Sequence, residues 1–283
     1  MKKYSGKIGL LFVAVIWGTG FAASALALEN YTPYQTLALR FSMAFVVSLL
    51  IYRDKIKSIN KQTFIKAGMI GLFLFMAFLF QTVGLQYTTA SKNAFLTAVN
   101  IVIVPILGLV IFKEKIPFKN LMGTLVTLAG IAFLSIELKG FTGINKGDLL
   151  TLVAALFFAL QIFYTDHSVK DIEPGVIMIV QMGVAALLSW AIVLFTHQTD
   201  INFTMTALKP ILYLGLISTM LAYGIQTWAQ KITTSTEAAV ILSTEAFFGM
   251  IASILILGEV VTVQILFGAV LIFVGILIVE YKQ

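Results

Sequence analysis

Ten apolar stretches of about 20 residues follow one another along the chain, at 7–27, 33–52, 66–87, 92–112, 119–137, 148–166, 174–196, 208–229, 236–257 and 262–280. A helix needs roughly 20 apolar residues to cross about 30 Å of hydrocarbon, so each stretch reads as a membrane-spanning helix. Runs such as Ile101–Phe112 and Leu149–Gln161 lack the alternation of a membrane β-strand. The composition agrees: 59% of the 283 residues are hydrophobic, 11% are charged and mean hydropathy is +0.99, against about 45–50% and about 25% in soluble domains. Soluble enzymes, disordered chains and nucleic-acid-binding modules are excluded on this ground. Ten spans leave only short loops, so any function must lie among the helices.

Lys and Arg set the orientation, because cytoplasmic loops of membrane proteins are enriched in them. The net charge is +6. Lys92, Lys139, Lys146 and Lys209 fall on one side and Arg40 lies inside a span, while the other basic residues share the side of the N-terminus. This predicts a multi-pass protein of the cell (inner) membrane with both termini cytoplasmic. Lys2, Lys3, Lys7 and Ala25-Leu26-Ala27 also resemble a secretory signal with its cleavage site, but the apolar run is long for that purpose. The first span is therefore expected to be retained.

The chain also resembles itself. At a shift of 145 residues, Thr88-Thr89 falls on Thr233-Thr234, Ala94 on Ala239, Asn100 on Glu245, Glu114 on Glu259, and Gly123 and Gly130 on Gly268 and Gly275. Pro33 and Pro174 each open a span. Each half, 1–140 and 141–283, holds five spans. An odd number inverts the second copy relative to the first, a recurrent plan of secondary transporters with the substrate site near the midplane. The expected fold is an all-α membrane protein of ten transmembrane helices in two inverted five-helix repeats. The glycine pairs in spans five and ten suit either an intrachain contact or a homodimer contact.

The segments Thr234-Ser235-Thr236-Glu237-Ala238-Ala239, Thr244-Glu245-Ala246-Phe247-Phe248 and Leu257-Gly258-Glu259 resemble the EamA repeat of the drug/metabolite transporter superfamily. In the first half Gln81, Gly84-Leu85-Gln86-Tyr87-Thr88, Phe95-Leu96-Thr97, Pro105 and Glu114 match, as do Trp17-Gly18 and Arg40-Phe41. The likeness covers essentially the whole chain. It implies an alternating-access carrier of small organic solutes, often an exporter of amino acids or other metabolites. Many members carry Pro after the glutamate of the ninth span, where this chain has Ala246; a kink at that point is then in doubt.

Glu245 is the most informative single residue. It lies roughly 13 Å into the ninth span at 1.5 Å per residue, where an ionisable group is expensive and usually faces a cavity or a partner. Two readings stand: a proton carrier or counter-ion, and a permanently neutral or paired glutamate that pins two helices. Its repeat mate Asn100 either bonds substrate or joins helices. Arg40 either takes a substrate carboxylate, pairs with Glu245 in one conformation, or is structural. Trp17, Gln81, Gln161, Tyr164 and Tyr223 complete the candidate substrate-binding or coupling set, since a mostly apolar pocket with a few convergent polar groups is the usual form of a small-molecule site. For Trp and Tyr the competing role is an interfacial anchor. Glu114 and Glu259 read as bonds to loops or helix ends, with gating as the alternative.

No metal site or cofactor is expected, since Cys is absent and His167 and His197 lie in separate loops. No catalytic residues are expected either: no intramembrane Ser–His, paired-Asp or HExxH arrangement occurs, and no P-loop supports ATP-driven pumping. The expected partners are a small-molecule substrate, the lipid bilayer and protons, with no nucleic acid. The leading function is a proton-coupled or exchanging secondary transporter that exports amino acids or related solutes. The alternative is a facilitative channel or a non-transporting sensor.

Overall fold

In a computed structural model, the structure describes residues 2–113, 118–135, 145–260 and 262–280, and every regular element among them is helical. The chain begins with α1 (Lys2–Leu28), α2 (Pro33–Ile51), a short 3₁₀ turn (Arg53–Ser58) and α3 (Lys61–Leu85). It continues through α4 (Ala90–Thr97), α5 (Asn100–Phe112), α6 (Phe118–Ser135), α7 (Lys146–Ser168) and α8 (Pro174–Phe195). Next come α9 (Met205–Leu212), a π-helical segment (Tyr213–Leu221) and α10 (Ala222–Gln230), which together form one rod. The chain closes with α11 (Ser235–Leu242), α12 (Glu245–Leu257) and α13 (Val263–Glu280).

Eight stretches are long and apolar enough to cross a membrane, with α4 and α5 counted as one and α11 and α12 as another. The remaining two expected spans are α6 and α13, whose apolar cores are shorter: Leu121–Gly130 and Val263–Gly275. The chain is thus a helical membrane protein.

The repeated residues become helix starts. Pro33 and Pro174 occupy the first turns of α2 and α8, where proline loses no hydrogen bond and its fixed φ suits the helix. Thr89 and Thr234 cap α4 and α11, their hydroxyls accepting from the backbone N–H of Lys92 and Glu237, each at 3.2 Å. Each cap satisfies a backbone donor that the helix start leaves without an intrahelical partner.

The most extensive contacts all cross between the halves: α6 lies on α13, α3 on α7, α2 on α8 and α1 on α12. Lipid tails are as apolar as leucine, so these contacts rest on van der Waals packing and interhelical hydrogen bonds rather than on escape from water. Small residues set the distances. A Cβ at Gly18 of α1 would lie 2.5 Å from Phe248 Cβ and 2.8 Å from the Gly249 nitrogen of α12. A Cβ at Gly130 would lie 2.7 Å from the Gly268 carbonyl, and one at Gly275 2.7 Å from that of Gly123. The glycine pairs noted in the sequence are therefore used within the chain, between α6 and α13.

Candidate functional site

One span in each half breaks, and at the corresponding place. Between α4 and α5 the turn Ala98–Val99 replaces the regular ladder with three-residue bonds, Ile101 N–H to Ala98 O at 3.2 Å and Val102 N–H to Val99 O at 2.9 Å. Between α11 and α12 the turn Ser243–Thr244 repeats them, Ala246 N–H to Ser243 O at 3.2 Å and Phe247 N–H to Thr244 O at 3.1 Å. These residues correspond one for one at a shift of 145. The doubt raised by Ala246 is thereby answered: the break forms without proline. In the second half Ser243 and Thr244 turn their hydroxyls back onto the carbonyls of Val240 and Ile241, both at 2.6 Å, a bond that competes with the helix ladder. Each break delivers one polar side chain to the interior as the first residue of the next helix: Asn100 on α5 and Glu245 on α12.

Both side chains line a central cavity. Trp17, Arg40, Gln81, Asn100, Gln161, Tyr223 and Glu245 all face it, so seven helices from both halves converge there. Tyr164 does not; it is half-buried beside Phe73, 5.1 Å between ring centroids, and Phe163, 6.0 Å away. It follows Gln161 by three residues, less than a full helical turn, and its ring contacts lie elsewhere. Phe78, Phe158, Ser218 and Ser24 also line the cavity, and no sequence signal distinguished these phenylalanines among the 23 in the chain.

The polar groups are arranged with open valences. Arg40 is 1% exposed. Its Nε donates to Thr219 Oγ1 at 2.9 Å, and its guanidinium carbon lies 4.1 Å from the Phe78 ring centroid, a cation–π contact. Among the described residues no carboxylate pairs with it, so Arg40 and Glu245 share the cavity without bridging. Glu245 is 5% exposed and makes no hydrogen bond or ion pair with a described residue. Asn100 Oδ1 and the Tyr223 hydroxyl, both buried, have no hydrogen-bond partner among the described residues. Tyr223 stands within electrostatic reach of both Arg40 and Glu245. The Trp17 ring lies 4.8 Å from Tyr223, and its Nε1 donates to the Ser218 carbonyl at 2.9 Å.

Ser218 and Thr219 belong to the π-helical segment, a rare widening often found at functional sites. Here its inner face holds the indole of Trp17 and the guanidinium of Arg40. Below the cavity, Gln226 Nε2 donates to Gln161 Oε1 at 3.2 Å. Gln81 is tied differently, its Nε2 donating to Thr97 Oγ1 at 3.0 Å. The space open to the centres of water-sized molecules is about 30 Å³. A water needs about 10–15 Å³ by this measure, so the cavity is closed down to a few waters.

Two polar contacts tie the halves at the rims. Glu259, just past α12, accepts from the backbone N–H groups of Ala90 (2.8 Å) and Ser91 (3.3 Å) and from the Ser91 hydroxyl (2.5 Å). It thereby satisfies the start of α4, where a carboxylate also meets the positive end of the helix dipole. At the opposite rim Lys7 of α1 lies 3.3 Å from Glu237 of α11. Glu114 falls outside the described residues.

The EamA-like transporter family model matches this chain twice, at residues 4–136 and 145–281. The chain belongs to the EamA-like transporter family, a class of membrane transport proteins. It is 32% identical to an uncharacterized transporter of Archaeoglobus fulgidus, over 100% of this chain and 88% of that one. It is 28% identical to a probable amino-acid metabolite efflux pump of Salmonella typhimurium, over 98% and 95%. A solved structure described only as the crystal structure of a protein shares the fold, with a TM-score of 0.71 at 14% identity over 95% of this chain and 94% of that one.

Proposed function

We propose that the chain is a secondary carrier, not an enzyme, that exports a small amphipathic metabolite of the amino-acid class by alternating access. Ten spans form two inverted five-helix repeats in the cell membrane, with both termini cytoplasmic. The halves rock about the central cavity, and Glu245 takes up and releases a proton between the two access states. The observation that carries this reading is the pair of buried, unbridged charges, Arg40 and Glu245, facing one cavity whose walls come from both halves. A cation, a carboxyl, a free phenol and a free amide oxygen among aromatic rings suit a zwitterion with an apolar side chain.

The small volume supports rocking. Small-molecule sites are commonly about 300–1,000 Å³, so this state must dilate before substrate enters. The name of the Salmonella relative agrees with the substrate class. Proton coupling requires that Glu245 bind its proton differently in the two states. In proteoliposomes, amino-acid flux driven by a pH gradient is expected with the native chain and is lost with Glu245→Gln, while substrate counterflow continues. Gradient-driven flux that survives the substitution intact would overturn the coupling role.

A further inference from the structure

A second cavity lies apart from the centre, where the ends of α2, α8 and α10 meet. It has a volume of about 530 Å³. One wall is apolar: Met220, Leu221, Ile225 and Trp228. Trp228 is 44% exposed and Leu221 38%, so this wall opens sideways, toward the bilayer. The rim is polar and lies just beyond the helix ends. Tyr52 and Lys55 follow α2, Glu173 precedes α8, and Lys231 follows α10. A tryptophan one turn below such a rim sits at headgroup level.

The rim charges are unequal in their commitments. Lys55 Nζ lies 2.9 Å from Glu173 Oε1, and this hydrogen bond holds the lysine above its ordinary pKa. The pair is internally neutral. Lys231 makes no ion pair with a described residue and is exposed. The groove therefore presents a greasy, laterally open wall beneath one uncommitted cation.

We infer that this groove binds an anionic phospholipid, with the headgroup phosphate on Lys231 and an acyl chain along Ile225 and Trp228. A soluble phosphate would have no use for the apolar wall, and a zwitterionic lipid would gain less from the uncommitted lysine. The occupant would also lie against Met220 and Leu221, the last residues of the π-helical segment whose inner face holds Trp17 and Arg40. Lipid bound there braces that segment from behind. The inference does not depend on which solute the central cavity carries.

Gly224 provides a clean obstruction. It lines the groove, and a Cβ built on it would meet only the Tyr52 hydroxyl, at 3.8 Å. The Cβ of a leucine there meets no backbone outside its own helix within 4 Å, and leucine suits a helix better than glycine does. The test is native mass spectrometry of the full-length protein in neutral detergent, titrated with phosphatidylglycerol or with phosphatidylcholine of the same chains. The native protein should retain phosphatidylglycerol in preference. Lys231→Gln should weaken phosphatidylglycerol about fivefold, the share of one lysine at an anionic surface, and leave phosphatidylcholine unchanged. Gly224→Leu should weaken both lipids. Millimolar inorganic phosphate should not displace the lipid. Retention of phosphatidylglycerol at the native level by both variants, or its displacement by inorganic phosphate, would overturn the assignment.

Discussion

The two broken helices share a backbone and differ in chemistry. Turns 98–99 and 243–244 use the same three-residue bonds, yet one presents the amide of Asn100 and the other the carboxyl of Glu245. An amide has the same charge at every pH, whereas a carboxyl does not. The duplication thus supplies two equivalent mounts around one cavity, only one of which carries a titratable group. A second asymmetry lies in the rods that pass the cavity. In the first half α3 runs unbroken from Lys61 to Leu85, whereas its counterpart in the second half widens into the π-helical segment at Tyr213–Leu221. The two halves thus share a frame and differ in the side chains it presents.

The sharpest way to break this comparison is to make the two mounts alike. Glu245→Gln puts an amide on both, and gradient-driven flux should fall at least about tenfold, equivalent to about 1.4 kcal/mol or more in the transport barrier. Flux measured from pH 5 to 8 should also become flat. A residual pH dependence equal to that of the native protein would mean that the proton travels elsewhere.

Arg40→Gln tests the charge supplied from outside the breaks. Hydrogen bonds to charged groups are worth about 1.5–3 kcal/mol, so the apparent affinity for an amino acid should fall roughly 10–100-fold. An amine lacking the carboxylate should bind the variant about as well as the native protein. Equal losses for both ligands would make Arg40 a structural residue, held by Thr219, Phe78 and Phe41.

Much of this was legible in the residues. Long apolar runs define helices because the bilayer admits no other open-ended structure. A lone carboxyl, amide or guanidinium in such a run stands out because its burial is costly, and Glu245, Asn100 and Arg40 all reach the cavity. The turns before Asn100 and Glu245 were not legible. Ala98-Val99 contains neither proline nor glycine, and its break shows only in the hydrogen bonds. The π-helical segment was not anticipated either, although Pro210 inside α9 and Gly215 in the segment itself are weak points in a helix. Tyr164 shows the limit of depth as a guide: it sits at the right level, but its ring contacts Phe73 and Phe163. Phe78 and Phe158 show the converse, because an aromatic wall is chemically indistinguishable from packing until the cavity is seen.

Asn100→Ala removes the fixed amide. One uncharged hydrogen bond contributes about 0.5–1.5 kcal/mol, so substrate affinity should drop roughly 2–10-fold while the pH profile keeps its native shape. A changed profile would mean that the two mounts act on the proton together.

The rims allow the comparison to be made across the membrane. The chain has no cysteine, so a single Ser24→Cys in the cavity wall reports which side is open by its rate of labelling with a membrane-impermeant maleimide. Glu259→Gln weakens the clasp on α4. Loss of a helix cap costs about 1 kcal/mol, which shifts a two-state equilibrium about fivefold, so labelling from the Glu259 side should rise by that factor. Labelling that does not change would confine Glu259 to capping α4.

Lys7→Gln is the matching change at the opposite rim and should have the smaller effect. Lys7 is about one-third exposed whereas Glu237 is 2% exposed, and ion pairs open to solvent contribute about 0–1 kcal/mol. Glu237 also keeps its place in the cap of α11, where Thr234 donates to it and its own N–H reaches Thr234. Labelling of Ser24→Cys from the Glu259 side should therefore fall no more than about fivefold as the Lys7 side opens more often, and the fall should shrink in high salt, which screens exposed pairs. An effect larger than that of Glu259→Gln, or one indifferent to salt, would reverse the ranking of the rims. The ion pair would then be the stronger latch, and the backbone cap at the other end would be a fixed joint.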